Sequence, residues 1–226
     1  MIAIERLHSF FDLISDKVGS PYFTSSQKDT FFQQAVTHFI NQYFKNPSSH
    51  VMEDTHIDLE DVHTLVTQVN TRTDVNGNVN FSDINSSLPD GKEWMYFLAC
   101  GRGSSLECKG EKYKSRWVRH NDYYVQKRNA FKKPEVTKPI HRYFNDYLKF
   151  EPKGETSVEI VILMRPNEVT LDDPNDSYQR GPNAVDLDLP DKVFNEIVYL
   201  ALTQAGINLR ENEFYAAVER EVGKNV

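Results

Sequence analysis

Residues 184–209 read "AVDLDLPDKVFNEIVYLALTQAGINL". Val185, Leu187 and Leu189 alternate with Asp186 and Asp188, the period-two pattern of a strand with one buried face. Pro190 presets φ and suits the first helical position, where a missing N–H costs nothing. Asp191 in the first turn complements the positive end of the helix dipole. Val193, Phe194, Ile197, Val198, Leu200, Ala201 and Leu202 then recur at helical spacing as a wide apolar face, and Gly206 is placed to cap the C-terminus. A second short helix is expected over 210–220, with Phe214, Ala217, Val218 and Val222 on one side. The chain thus carries a late strand–helix–helix unit with nothing catalytic in it, and its apolar helix requires a partner elsewhere.

That partner is expected near the N-terminus. Ile4, Leu7, Phe10, Phe11, Ile14 and Val18 predict a helix over 2–18, broken by Gly19, Ser20 and Pro21. Ser26 with Asp29 three residues on resembles a capping box, and Phe32, Val36, Phe39, Ile40 and Tyr43 continue a second helix to about 44. Val62, Leu65 and Val66 predict a third over 59–69. Three helices with short breaks form a bundle. Residues 70–91 are rich in turn formers, with Asn76-Gly77 as a hairpin turn flanked by Val75, Val79 and Phe81. Beyond them the sequence is aromatic and β-branched, punctuated by Gly101, Gly103 and Gly110. It predicts strand, loop, strand, a short helix over 122–128, an extended connector, and two strands over 140–152 and 156–166. "VEIVILM" is almost continuously apolar, so the last is central. The expected class is α+β: an N-terminal helical bundle, a central antiparallel sheet or small sandwich, and C-terminal helices packing back on the bundle. Its segments are 1–70, 71–189 and 190–226, within one composite domain.

Composition bounds the function. The 226 residues are 39% hydrophobic and 12% aromatic, with mean hydropathy −0.58, which describes a folded chain with an extensive polar surface. No apolar run approaches the ~18 residues a membrane span needs, and Glu5, Arg6 and Asp12 interrupt the N-terminal pattern where a secretory signal would not. Cys100 and Cys108 are expected as free thiols in a reducing compartment, with a disulfide across a hairpin as the alternative. The net charge of −7 is unevenly spread: residues 92–142 hold 13 Lys and Arg against 5 Asp and Glu, leaving 13 against 28 elsewhere.

No catalytic constellation stands out. The seven histidines (His8, His38, His50, His56, His63, His120, His141) give neither HExxH nor a Cys/His zinc spacing. "GRGSSLECKGEK" lacks phosphate-loop spacing, "DVNGNVNFSD" would put Arg72 at the first position of a calcium loop, and GxSxG is absent. Catalytic, cofactor and metal sites are expected to be none.

The informative residues are therefore the basic ones. Lys112, Lys114, Arg116, Arg119, Lys127, Arg128, Lys132 and Lys133 interleave with Tyr113 and Trp117. Such a mixture can meet an acidic protein surface, or grip a nucleic-acid backbone and stack bases. Trp117 and Val118 also read as core positions of a strand, and a solvated hairpin with a basic wet face accounts for the same pattern.

The order of features resembles one family. "FFQQAVTHFINQYF", "IDLEDVHTLV", "WVRHNDYYVQKRNAFKKP", "VEIVILMRPNEV" and "VDLDLPDKVFNEIVYLAL" follow one another as in the ring, or head-to-tail adaptor, proteins of tailed bacteriophages, closest to those of crAss-like short-tailed phages. The resemblance covers nearly the whole chain. It implies a non-enzymatic virion protein at the neck, assembled in the host bacterial cytoplasm. Its partners would be copies of itself in a ring, commonly twelve-fold, the portal protein, and adjacent ring or tail proteins, with no membrane. A ring needs two different patches per subunit. The basic residues would then be subunit-interface or channel DNA-facing groups. The alternative is a soluble nucleic-acid-binding protein using residues 109–133.

Overall fold

A computed structural model describes residues 1–18, 22–44, 58–89, 92–103, 112–129, 131–173 and 179–207. The helices are α1 (Ile4–Val18), α2 (Ser25–Phe44), α3 (Phe81–Ser86), α4 (His120–Arg128) and α5 (Phe194–Gln204). The strands are β1 (Val66–Arg72), β2 (Asn78–Asn80), β3 (Trp94–Gly103), β4 (Lys112–Lys114), β5 (Arg116–Trp117), β6 (Ile140–Tyr143), β7 (Tyr147–Glu151) and β8 (Ser157–Met164). The class is α+β, as the sequence predicts. The chain divides into two compact units, one from 1–65 with 166 onward, the other from 66–165.

In the first unit α5 packs on α1 and α2. Ile4, Leu7, Phe11 and Ile14 of α1, Phe32, Val36, Phe39 and Ile40 of α2, and Ile197, Val198, Ala201 and Leu202 of α5 are all buried. Each large aliphatic or aromatic side chain so placed contributes ~1.5–3 kcal/mol. The C-terminal helix therefore does return to the N-terminal ones. Polar ties fix the packing. Buried Lys28 donates to Asp12 at 2.8 Å. Asp29 meets His8 at 2.8 Å and accepts from the Leu171 N–H at 3.2 Å. α2 begins two residues earlier than Ser26/Asp29 suggests. Thr24 and Gln27 are the reciprocal pair, the Gln27 side chain accepting from the Thr24 N–H at 3.0 Å, because Asp29 is committed to the interior. α5 is entered through a 3-10 turn, Asp191–Val193, with Pro190 just before it. It ends as expected: Gly206 at φ +80°, with Ile207 N–H donating to Leu202 O at 3.0 Å, closes a Schellman cap.

The second unit is a sandwich of two four-stranded sheets, ordered β1-β8-β3-β4 and β2-β7-β6-β5. Every pair is antiparallel except β5 with β6. One core joins the sheets: Val69, Phe97, Cys100, Val158, Ile160 and Ile162 from the first, Val79, Leu148 and Phe150 from the second, with Ile84 of α3. β8 is interior, as its apolar run requires. Arg102, fully buried, is held by Thr156 at 2.9 Å and by the Pro152 carbonyl.

Four expectations are corrected. The third helix is two 3-10 turns, Asp58–Asp61 and His63–Leu65, followed by β1. From Val66 on, β-branched residues alternate and pair with β8, and this pairing overrides the helical spacing of Val62 and Leu65. Residues 184–189 form no strand ladder: Val185 bridges Thr170 and Leu187 bridges Ile2, so two residues only two positions apart pair with different segments. Asn76-Gly77 makes a turn with Gly77 at φ +80°, but β1 and β2 enter different sheets, so it is no hairpin. Asp74 closes it, accepting from the N–H groups of Asn76 and Asn78 at 2.8 Å. Residues 140–152 are two strands, since Asn145 and Asp146 turn the chain and Phe144 N–H bonds to Tyr147 O at 2.9 Å. The helix expected over 210–220 lies outside the described residues, as do Cys108, Lys109, His50 and His56.

Candidate interaction surface

The segment that carries the basic residues begins by crossing between the sheets. Ser115 N–H donates to Cys100 O at 2.7 Å in the first sheet, and Arg116 N–H donates to Pro139 O at 2.9 Å in the second. Alternation on β6 then sorts its side chains. His141 and Tyr143 face the sandwich core, 5.5 Å from Phe150 and 5.3 Å from Phe97 respectively. Ile140 and Arg142 face outward, under α4. Ile140 packs with Val118 and Tyr123, and the Arg142 guanidinium lies 3.8 Å from the Tyr123 ring and 4.1 Å from that of Phe144. Trp117, expected in the core, is 42% exposed, while its neighbour Val118 is buried.

Glu151 anchors α4 to the sheet, accepting from Tyr123 Oη at 2.8 Å and from Lys127 Nζ at 2.9 Å. Burial alone would raise its pKa, but the bonds from Lys127 and Tyr123 outweigh this and hold it below the usual carboxylate value. Burial, with the bond to Glu151, pushes the Tyr123 phenol up, so it stays protonated and donating. Tyr124, on the outer side, is lowered by its bond from Arg142.

The eight basic residues named from sequence fall in three places. Lys112 and Lys114 are on β4 at the edge of the first sheet, with Lys112 paired to Glu159 and donating to Asn70 at 3.2 Å. Arg116, Arg119, Lys127 and Arg128 surround α4; Arg119 is its N-cap residue and Arg116 donates to Gln126 at 2.5 Å. Lys132 and Lys133 are exposed in the turn that follows. Their charges are therefore partly answered by Glu159 and Glu151 within the chain.

What sequence reasoning missed is apolar. Nine large hydrophobic residues are exposed among the described ones; five of them (Trp117, Tyr124, Val125, Phe131, Val136) lie in this same stretch, and Tyr143, which faces the core, is also 37% exposed. Val125 is 66% exposed and Phe131 99% exposed. The signal was present in "DYYVQ": on a nine-residue helix Tyr123 points in, so its neighbours Tyr124 and Val125 point out.

No three His, Cys, Asp or Glu side chains among the described residues are grouped so as to hold a metal. None of the described helices is long and apolar enough to cross a membrane. Cys100 is a core thiol whose pKa burial raises to about 12, which leaves it protonated and inert. Compared with known proteins, the chain matches no family model and no curated relative.

Proposed function

We propose that this protein is a structural component of a phage particle, a ring subunit at the portal–tail junction that extends the DNA channel and docks tail components. The observation that carries the reading is the surface of α4 and its flanks. Tyr124, Val125 and Phe131 are exposed among Arg119, Arg128, Lys132 and Lys133, on a chain whose remainder is strongly acidic. Clustered apolar exposure of this kind marks a protein interface, and opposite charge on a neighbouring copy fits a head-to-tail contact. The sequence resemblance to ring proteins supports the same reading.

Exposed aromatic rings beside basic residues also suit single-stranded nucleic acid, which favours nucleic-acid binding as the second reading. The ion pairs of Lys112 with Glu159 and of Lys127 with Glu151 weigh against it, because they occupy charges that phosphates would need. Mass photometry of the purified chain, alone and with portal complexes from the same genome, tests the proposal. A species carrying about twelve copies is expected. A monomer that instead binds DNA, with affinity falling steeply as salt rises, would favour the second reading.

A further inference from the structure

A concavity of about 510 Å³ is lined by Asn80, Phe81, Glu93, Trp94, Asn145 and Asp146, among others. Its floor is aromatic: the Phe81 and Trp94 rings are 5.1 Å apart, and Phe97 supports Trp94 from the core at 4.4 Å. Its rim is acidic, from Glu93 and Asp146. Glu93 meets Arg165 at 3.3 Å, a solvent-exposed and therefore weak contact.

Phe131 is presented rather than merely left out. The Asn129 side chain accepts from the Phe131 N–H at 2.9 Å, and the Asn129 carbonyl accepts from the Lys132 N–H at 3.2 Å. Three residues beyond the ring, Pro134 is buried. Two exposed lysines, Lys132 and Lys133, follow the ring directly. With its ring 99% exposed, Phe131 does not occupy the groove of its own chain.

Resting on the ring reading, we propose that Phe131 of one copy inserts over Phe81 and Trp94 of the next, with Lys132 and Lys133 against Glu93 and Asp146. Aromatic character and charge agree. A rigid aromatic anchor meets an aromatic floor, and two cations meet two rim carboxylates. The two patches are different surfaces of one chain, so the contact is head-to-tail and propagates into a ring or filament.

Sedimentation velocity of the full chain over a range of concentrations, with and without portal, tests this. Phe131→Glu is expected to weaken self-association at least tenfold while leaving the exposed turn folded. K132E/K133E and E93K/D146K should each lose association alone and regain it when mixed, since each mutant patch then finds its complement. Association by Phe131→Glu equal to that of the unmodified chain, or no rescue on mixing, would overturn the contact and leave the ring reading standing. An unmodified chain that stays monomeric at every concentration, even with portal, would overturn both.

Discussion

His141 lies inside the sandwich, its Nδ1 3.0 Å from Ser115 Oγ and its ring against Phe150. Burial disfavours the charged imidazole and lowers its pKa from 6.5 to about 4. The unfolded chain therefore takes up this proton more readily than the folded one. The stabilisation is complete above pH 6.5 and is lost as pH falls from there to about 4, a change of about 3 kcal/mol. Urea titrations at stepped pH should show this decline, and His141→Gln should flatten it; an unchanged slope would assign the acid sensitivity elsewhere. Glu151 acts lower on the scale. Its pKa is depressed, so its contribution is present above the ordinary carboxylate value of 4.5 and fades as pH falls through its folded value. Glu151→Gln should cost about 1–3 kcal/mol at neutral pH, because Tyr123 loses a charged acceptor and Lys127 its counter-charge. Neither group was identifiable as special from sequence. "IHRYF" alternates, but which of His141 and Arg142 faces inward is decided by which side of the sheet α4 covers.

Elements with a strong local signal were legible and those that depend on distant partners were not. α1, α2, α5 and β8 follow from apolar periodicity, since their buried faces are written in consecutive turns or residues. The spacing of Val62, Leu65 and Val66 predicts a helix over 59–69, and only the antiparallel partner β8, some ninety residues on, selects the strand. α3 was missed because "FSDINS" buries little beyond Ile84. The Asn76-Gly77 turn was correctly located yet joins strands of separate sheets. Gly77 is required there twice over. Its φ is +80°, and a Cβ would stand 2.5 Å from the Phe150 carbonyl oxygen, on a backbone it already bonds at 2.8 Å. Gly77→Ala should lower stability by about 1–3 kcal/mol. Gly206→Ala, at the same φ but with open space around it, should cost about 1 kcal/mol. Equal losses in thermal denaturation would mean that the close approach contributes nothing.

On the scale of the whole chain, the charge segregation was plain in the sequence, and the apolar component of the same surface was not. Hydrophobic residues are assigned inward by default, and only the packing of α4 on Ile140 and Glu151 turns Tyr124 and Val125 outward. The proposed assembly makes the basic side of this surface testable without touching Phe131. Arg116→Glu with Arg119→Glu should abolish or weaken ring formation several-fold while leaving the urea midpoint near its original value; assembly at full strength would make both arginines bystanders.

The pairing of Ile2 with Leu187, through bonds of 2.8 and 3.0 Å, ties the start of the chain to a residue made about 185 positions later. The sandwich, by contrast, is drawn from a continuous stretch between them. On the ribosome α1 and α2 emerge before the sandwich, yet α5 is synthesised only after it. At ~5–20 residues per second this leaves the two helices waiting roughly 10–40 s with apolar faces uncovered. The sandwich can complete its pairing when β8 appears, so α5, made after it, closes the helical part made before it. During that interval the uncovered faces of α1 and α2 are the part of the nascent chain open to aggregation or to capture by a chaperone.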